Sequence, residues 1–153
     1  MDKTNVMRLL DGKKVPYTPH FYDSSITTGT EVAAILGQDL EAVFKTLVTS
    51  GKSGSHYVFV IPVAEELDLK KAARAAGEKS IEMLKQKDLL PLTGYIHGGC
   101  SPIGMKKFFP TFIHESASEL HEIYISGGHV GAQVSLAPQD LARMIRFSYA
   151  DLI

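Results

Sequence analysis

Between Thr93 and Lys107 the chain reads Thr93-Gly94-Tyr95-Ile96-His97-Gly98-Gly99-Cys100-Ser101-Pro102-Ile103-Gly104-Met105-Lys106-Lys107, and no single regular element runs through such a string. Gly98, Gly99 and Gly104 admit backbone conformations that a Cβ resists, while Pro102 fixes one φ angle and removes a donor. Tyr95 and Ile96 open the stretch as a strand, Ser101-Pro102 turns it, and two lysines end it. A loop of this composition is either a tight turn between strands or a cradle whose N–H groups converge on an anion. The rest of the chain has to hold its two ends.

The flanking elements are short. Thr4 caps a first helix carrying Val6, Met7, Leu9 and Leu10, with Gly12 as its stop. Pro16 and Pro19 keep Val15 to Tyr22 extended. Asp23 to Gly29 is a polar loop, Thr30 caps Glu31 to Leu36, Gly37 closes that helix, and Leu40 to Phe44 adds a helical turn. Thr46 to Ser50 and Tyr57 to Pro62 are β-rich runs joined by Gly51-Lys52-Ser53-Gly54-Ser55, a hairpin signal. Asp68 caps Leu69 to Ala76, which Gly77 ends. Ile81 to Leu90 is ambiguous, one reading being a short strand at Ile81 and Met83 before a helix through Asp88. Thr111 to His114 and the run through Ile123 and Ile125 are strands, and Gly127-Gly128 turns the latter back into Val130 to Leu136. Pro138 opens a last helix, Gln139 to Ile145. Strands dominate and no strict strand–helix alternation appears. The expectation is an α+β single domain over residues 1–153, with a curved, barrel-like mixed sheet and short peripheral helices.

With 153 residues, 44% of them hydrophobic and 22% charged, the chain can build a globular core. No apolar run approaches the roughly 18 residues of a spanning helix, and Met1-Asp2-Lys3-Thr4-Asn5 lacks a basic-then-apolar signal pattern. The single cysteine, Cys100, excludes an internal disulfide and fits a reducing compartment, so the expected location is the cytoplasm. Sixteen basic and 17 acidic side chains leave a net charge of −1. That balance argues against coating a long nucleic acid and leaves room for a local basic patch around a short site.

Lys45 alternates onto the same face as Val43 and Leu47, so it is either a snorkelling edge residue or an ammonium aimed at a carbonyl or phosphate. Tyr22 ends His20-Phe21-Tyr22-Asp23, either as packing with a wet tip or as a hydroxyl that orients a ligand. Six histidines invite a metal, but no paired Cys-x-x-Cys or His-Glu-x-x-His spacing exists, and none is expected. Cys100 with His97 three residues before it offers a nucleophile and base, outside any Gly-x-Ser-x-Gly string. Lys70, Lys71, Arg74, Lys79, Lys106 and Lys107 are candidate phosphate contacts, or simply solvated faces.

Taken together, Lys3-Thr4-Asn5, His20 to Asp23, Val43-Phe44-Lys45-Thr46-Leu47, Leu67 to Ala73, Thr93 to Tyr95, Gly98 to Lys107, Ile123 to Gly128 and Leu136 to Leu141 resemble the YbaK family. Its members are free-standing aminoacyl-tRNA editing proteins related to the editing domain of bacterial prolyl-tRNA synthetases. The segments are collinear and cover nearly the whole chain. The Gly-Gly-x-Ser-Pro-x-Gly string is the most specific of them.

The resemblance implies a mixed α/β fold and removal of cysteine from mischarged tRNA, chiefly Cys-tRNA(Pro), with related members clearing other amino acids. It maps functional roles onto Lys45 and Tyr22 and a substrate-binding loop onto Gly98, Gly99, Ser101 and Pro102. It implies no cofactor, no metal and no enzyme nucleophile, the substrate's own thiol attacking its ester and leaving as a cyclic thiolactone. In that scheme loop N–H groups near Gly99 and Ser101 face the oxyanion or the terminal ribose. The implied partner is the acceptor end of an aminoacyl-tRNA, with prolyl-tRNA synthetase as a second one. The alternatives are a non-catalytic tRNA- or synthetase-binding module of the same fold, and a hydrolase dependent on Cys100 and His97. Four residues depart from the family pattern: His97 and Cys100 stand at usually apolar positions, and His129-Val130 replaces a common Lys-Arg.

Overall fold

The computed structural model describes residues 2–153. Its elements follow the local chemistry. In α1 (Asn5–Gly12) the Thr4 hydroxyl accepts from Met7 N at 3.2 Å, and Val6, Met7 and Leu10 face the core. In α3 (Leu69–Ala76) the Asp68 carboxylate accepts from both Lys70 N and Lys71 N, and Gly77 ends the helix at a φ of 73°, where a side chain would be strained. The cap of α2 (Gly29–Leu36) is Thr28, which accepts from Glu31 N at 3.3 Å; Thr30, the expected cap, lies inside the first turn.

The strands are β1 (Thr18–Phe21), β2 (Phe44–Gly51), β3 (His56–Pro62), β4 (Ile81–Met83), β5 (Thr111–His114), β6 (Ile123–Ser126), β7 (Ala132–Leu136) and β8 (Ser148–Ala150). Two more helices, α4 (Gln86–Thr93) and α5 (Pro138–Leu141), complete the fold. It is α+β with short outer helices, as expected, but the strands divide into two sheets instead of closing toward one barrel. One runs β4-β2-β3-β5-β8 and is mixed, since β3–β5 and β5–β8 are parallel; the other is the antiparallel β1-β7-β6.

The β2–β3 register pairs Thr46 with Val60 and Leu47 with Phe59, so alternate residues serve two cores. Phe44, Val48, Val58 and Val60 pack with α1 and the smaller sheet. Phe59 and Ile61 pack on the other face with Ala72 and Ala73 of α3, Ile81 and Leu152. Each fully buried aliphatic or aromatic side chain contributes about 2 kcal/mol relative to exposure.

Three further local expectations change. Tyr95 and Ile96 are not a strand: Tyr95 N donates to the Thr93 hydroxyl at 3.1 Å and the Tyr95 hydroxyl donates to the Ile103 carbonyl, so the chain folds back on itself there. The return strand begins at Ala132, not Val130, and α5 stops at Leu141, with tight turns continuing to Ile145. Ser148 to Ala150 adds an edge strand where none was expected. Among the described residues no helix is long and apolar enough to cross a membrane.

Candidate active site

Among the described residues the two sheets meet at a single parallel bridge, Val43 to Tyr124, and diverge beyond it. The hydrogen-bond polarity of β2 shows what the divergence exposes. Val43 O accepts from Val63 N and Gly51 N donates to Ser55 O, both at 2.8 Å, so odd-numbered residues turn their backbone groups toward β3. Val48 O accepts from Leu84 N and Lys52 N donates to Ser80 O, both at 3.1 Å, so even-numbered residues face the opposite edge. That edge is covered by β4 only at Thr49 to Gly51. The backbone N–H and C=O of Thr46 therefore point into an uncovered gap.

The gap is a cleft of about 620 Å³, within the range of small-ligand sites. Its floor is β2 from Phe44 to Val48; its walls are Met83, Leu84 and Leu89, then Ile125, Ser126, Ala132 and Gln133, then Ile26 to Thr30 with Val32. Tyr22, Val43, Val63, Gln86, His97, Gly98, Cys100 and Val130 also line it. No carboxylate lines this cleft, and among the described residues none lies within 4.0 Å of the Lys45 ammonium. Lys45, half-buried on the same face as Leu47, is thus an uncompensated cation at the cleft. Tyr22 is anchored by its backbone N–H to Gly131 O at 3.0 Å, placing its half-buried ring at the end of β1 beside the cleft.

The loop that dominates the sequence contributes less surface than expected. Gly98 lines the cleft; Gly99, Ser101 and Pro102 do not. Ser101 is 0% exposed and its Oγ accepts from Ile103 N at 3.1 Å, so that hydroxyl braces the turn. Gly99 N donates to Ile96 O at 3.0 Å, so this N–H is already committed and does not face an oxyanion. Gly99 lies hard against the backbone of His129 and Val130, where a Cβ would come within 2.8 Å of His129 Cα. These three residues hold the shape behind the wall.

Cys100 lines the cleft but is 8% exposed, and burial pushes its thiol up to about 12. A thiol that stays protonated is a poor nucleophile, which counts against the Cys100/His97 hydrolase. Burial likewise pushes the Tyr95 hydroxyl up to about 12. Both groups bind their protons more tightly folded than unfolded, so their contribution is intact below pH 9 and is lost as pH rises toward 12. Thermal midpoints measured from pH 8 to 11 should fall progressively above 9, and the Cys100→Ala, Tyr95→Phe double variant should show a flatter decline.

Of the other candidate cations, Lys71 is paired with Asp151 at 2.9 Å, Lys106 lines a separate shallow cavity beside the start of α1, and none of the six lines the cleft. Among the described residues no three His, Cys, Asp or Glu side chains group closely enough to hold a metal ion. Two features escaped sequence reasoning. One is Thr46, whose Oγ1 is buried with no hydrogen-bond partner; its place in the Phe-Lys-Thr string was visible, but the uncovered edge that leaves it unpaired depends on long-range pairing. The other is the wall from Ile26 to Val32, for which no local signal existed.

The aminoacyl-tRNA editing domain family matches residues 23–144. EbsC of Enterococcus faecalis, for which Cys-tRNA(Pro)/Cys-tRNA(Cys) deacylase activity is proposed, is 45% identical over 152 residues, 98% of this chain and 93% of that one. A 97-residue segment, 63% of this chain, is 28% identical to the proline–tRNA ligase of Fervidobacterium nodosum and spans 16% of it. The crystal structure of a protein proposed as a trans-editing enzyme for prolyl tRNA synthetase superposes with a TM-score of 0.84 at 25% identity, covering 99% of this chain and 98% of that one. The chain belongs to the aminoacyl-tRNA editing domain family.

Proposed function

We propose that this chain is a trans-editing deacylase that removes cysteine from mischarged tRNA(Pro), working as one editing domain in the cytoplasm. The observation that carries the reading is the cleft between the sheets, which is lined by Lys45 and the free backbone edge at Thr46 and has no carboxylate in its lining. An aminoacyl ester at the 3′ end of a tRNA brings an electron-rich carbonyl and a phosphate backbone, which suit an uncompensated cation. The 45% identity to EbsC supports cysteine as the amino acid removed.

In the reaction the cysteinyl sulfur attacks its own ester carbonyl, the carbonyl–ribose oxygen bond breaks, and the thiol proton ends on the departing ribose hydroxyl. The released product is a cyclic thiolactone, which water later opens. Attack within one molecule needs no enzyme nucleophile, because holding thiol and carbonyl together supplies much of the rate. The buried, protonated Cys100 is consistent with this division of labour. Lys45 stabilises the oxyanion or a terminal phosphate, Tyr22 orients the amino acid, Gly98 lines the approach, and Thr46 offers its backbone N–H and C=O to the substrate. The tRNA acceptor end is the partner; prolyl-tRNA synthetase is a second one, suggested by the similarity to a segment of a proline–tRNA ligase.

The test is a panel of Cys-tRNA(Pro), Ala-tRNA(Pro) and Ser-tRNA incubated with the purified chain, following ester loss. Faster loss of the cysteine ester is expected. Loss at the buffer rate for every ester would sink the enzymatic reading and favour a binding module.

A further inference from the structure

The segment from Ser24 to Gln38 forms one wall of the cleft through Ile26, Thr27, Thr28, Gly29, Thr30 and Val32. Its hydrogen bonds are almost all local: Ile26 N to Asp23 O at 3.0 Å, Val32 N to Thr28 O at 3.1 Å, Gln38 N to Ala33 O at 2.9 Å, and the cap between Thr28 and Glu31. Its outward face is bare, with Ile35 61% exposed. Among the described residues one hydrogen-bonded link joins this segment to a distant part of the chain. Gln38 Nε2 donates to Gln133 Oε1 at 2.6 Å, and Gln133 Nε2 donates back to Gln38 Oε1 at 3.1 Å. Gln133 is on β7, itself part of the cleft, and is 5% exposed. The remaining attachment is apolar, through Val32, Ala33 and the close approach of Gly29 to Val63.

A reciprocal amide pair satisfies a donor and an acceptor on each side at once and fixes a distance. Without Gln38, the nearly buried Gln133 amide loses both partners, a state that favours opening to water. The wall would then be held by its apolar contacts alone. We propose that Gln38 is a specificity-determining positioning residue, whose paired amide with Gln133 sets the distance between the α2 wall and the β7 wall of the cleft and so limits the size of the acyl group admitted. This rests on the deacylase reading for its substrate and on the hydrogen-bond pattern alone for the tether.

The experiment compares the wild type, Gln38→Ala and Gln38→Glu by amide hydrogen exchange and by steady-state deacylation of tRNA(Pro) charged with cysteine or with a bulkier amino acid. In Gln38→Ala, exchange at Val32 and Ala33 is expected to quicken about tenfold while Val58 to Val60 in β3 stay protected. KM for the cysteine ester should rise with kcat little changed, and preference for cysteine over the bulkier acyl group should fall about tenfold. Gln38→Glu retains an acceptor for Gln133 Nε2 but sets a second acceptor against Gln133 Oε1, and should recover only part of the preference. Unchanged exchange in α2, equal loss of protection in β3, or a cysteine preference within twofold of the wild type in an active enzyme would overturn the proposal. A wild-type chain inactive on every ester would overturn the functional reading instead, and the exchange comparison would still decide whether the tether exists.

Discussion

Replacing Lys45 with alanine is expected to lower kcat/KM for Cys-tRNA(Pro) by about 100-fold, the scale on which a single well-placed electrostatic group acts on a developing oxyanion. The size of the effect follows from the surroundings. The cleft lining holds no carboxylate, so nothing there offsets the Lys45 charge before substrate arrives. The side chain is half-buried beside Leu47, and its ammonium makes no ion pair among the described residues. The fold thus gains little from the charge, and the unfolding free energy of the variant should change by no more than about 0.5 kcal/mol. Lys45→Met keeps an apolar stem and should lose as much activity as alanine, which separates charge from packing. Near-normal turnover in either variant would remove Lys45 from the site.

Gly99→Ala is expected to destabilise the protein by about 2 kcal/mol. Its added methyl would meet His129 Cα at 2.8 Å and His129 C and Val130 N at 3.0 Å. These are backbone atoms of the segment that returns into β7, so they cannot rotate aside as a side-chain tip would. Relief requires separating the loop that carries His97, Gly98 and Cys100 from the turn at His129 and Val130, and His97, Gly98, Cys100 and Val130 all line the cleft. Urea denaturation should therefore show a lower midpoint at unchanged slope, accompanied by reduced turnover. A stability equal to wild type would show that the two segments separate easily and that the wall is not fixed by this contact.

Much of the local structure was legible because the signals were local. Asp68 and Gly77 bracket α3, the Gly51 to Ser55 stretch turns β2 into β3, and Gly127-Gly128 turns β6 toward β7. Ambiguity arose where neighbours compete: Thr27-Thr28-Gly29-Thr30 offers several caps, and the backbone takes Thr28. Tyr95 and Ile96 have strand character by residue type, but the Thr93 hydroxyl and the Ile103 carbonyl capture Tyr95 and bend the chain back. The division into two sheets depends on pairings between distant segments, β3 with β5, β5 with β8 and β1 with β7, that no window of sequence contains. The same holds for the site. Lys45, Tyr22 and Gly98 were identifiable from strings that resemble a family, and all three reach the cleft. Gly99, Ser101 and Pro102 belong to an equally distinctive string, yet their packing and hydrogen bonds place them behind the surface. Gln38 and Gln133, 95 positions apart, carry no mark in the sequence and meet only because α2 folds over β7.

The chemistry assigned to the cleft puts the reactive thiol on the substrate and leaves the protein's own cysteine idle. The most direct measurement is ester loss from tRNA(Pro) charged with cysteine or with serine, catalysed by the Cys100→Ala variant. The predicted result is a cysteine-ester rate within about threefold of wild type, with the serine ester cleaved no faster than in buffer. Loss of activity on the cysteine ester, or equal cleavage of both esters, would contradict it.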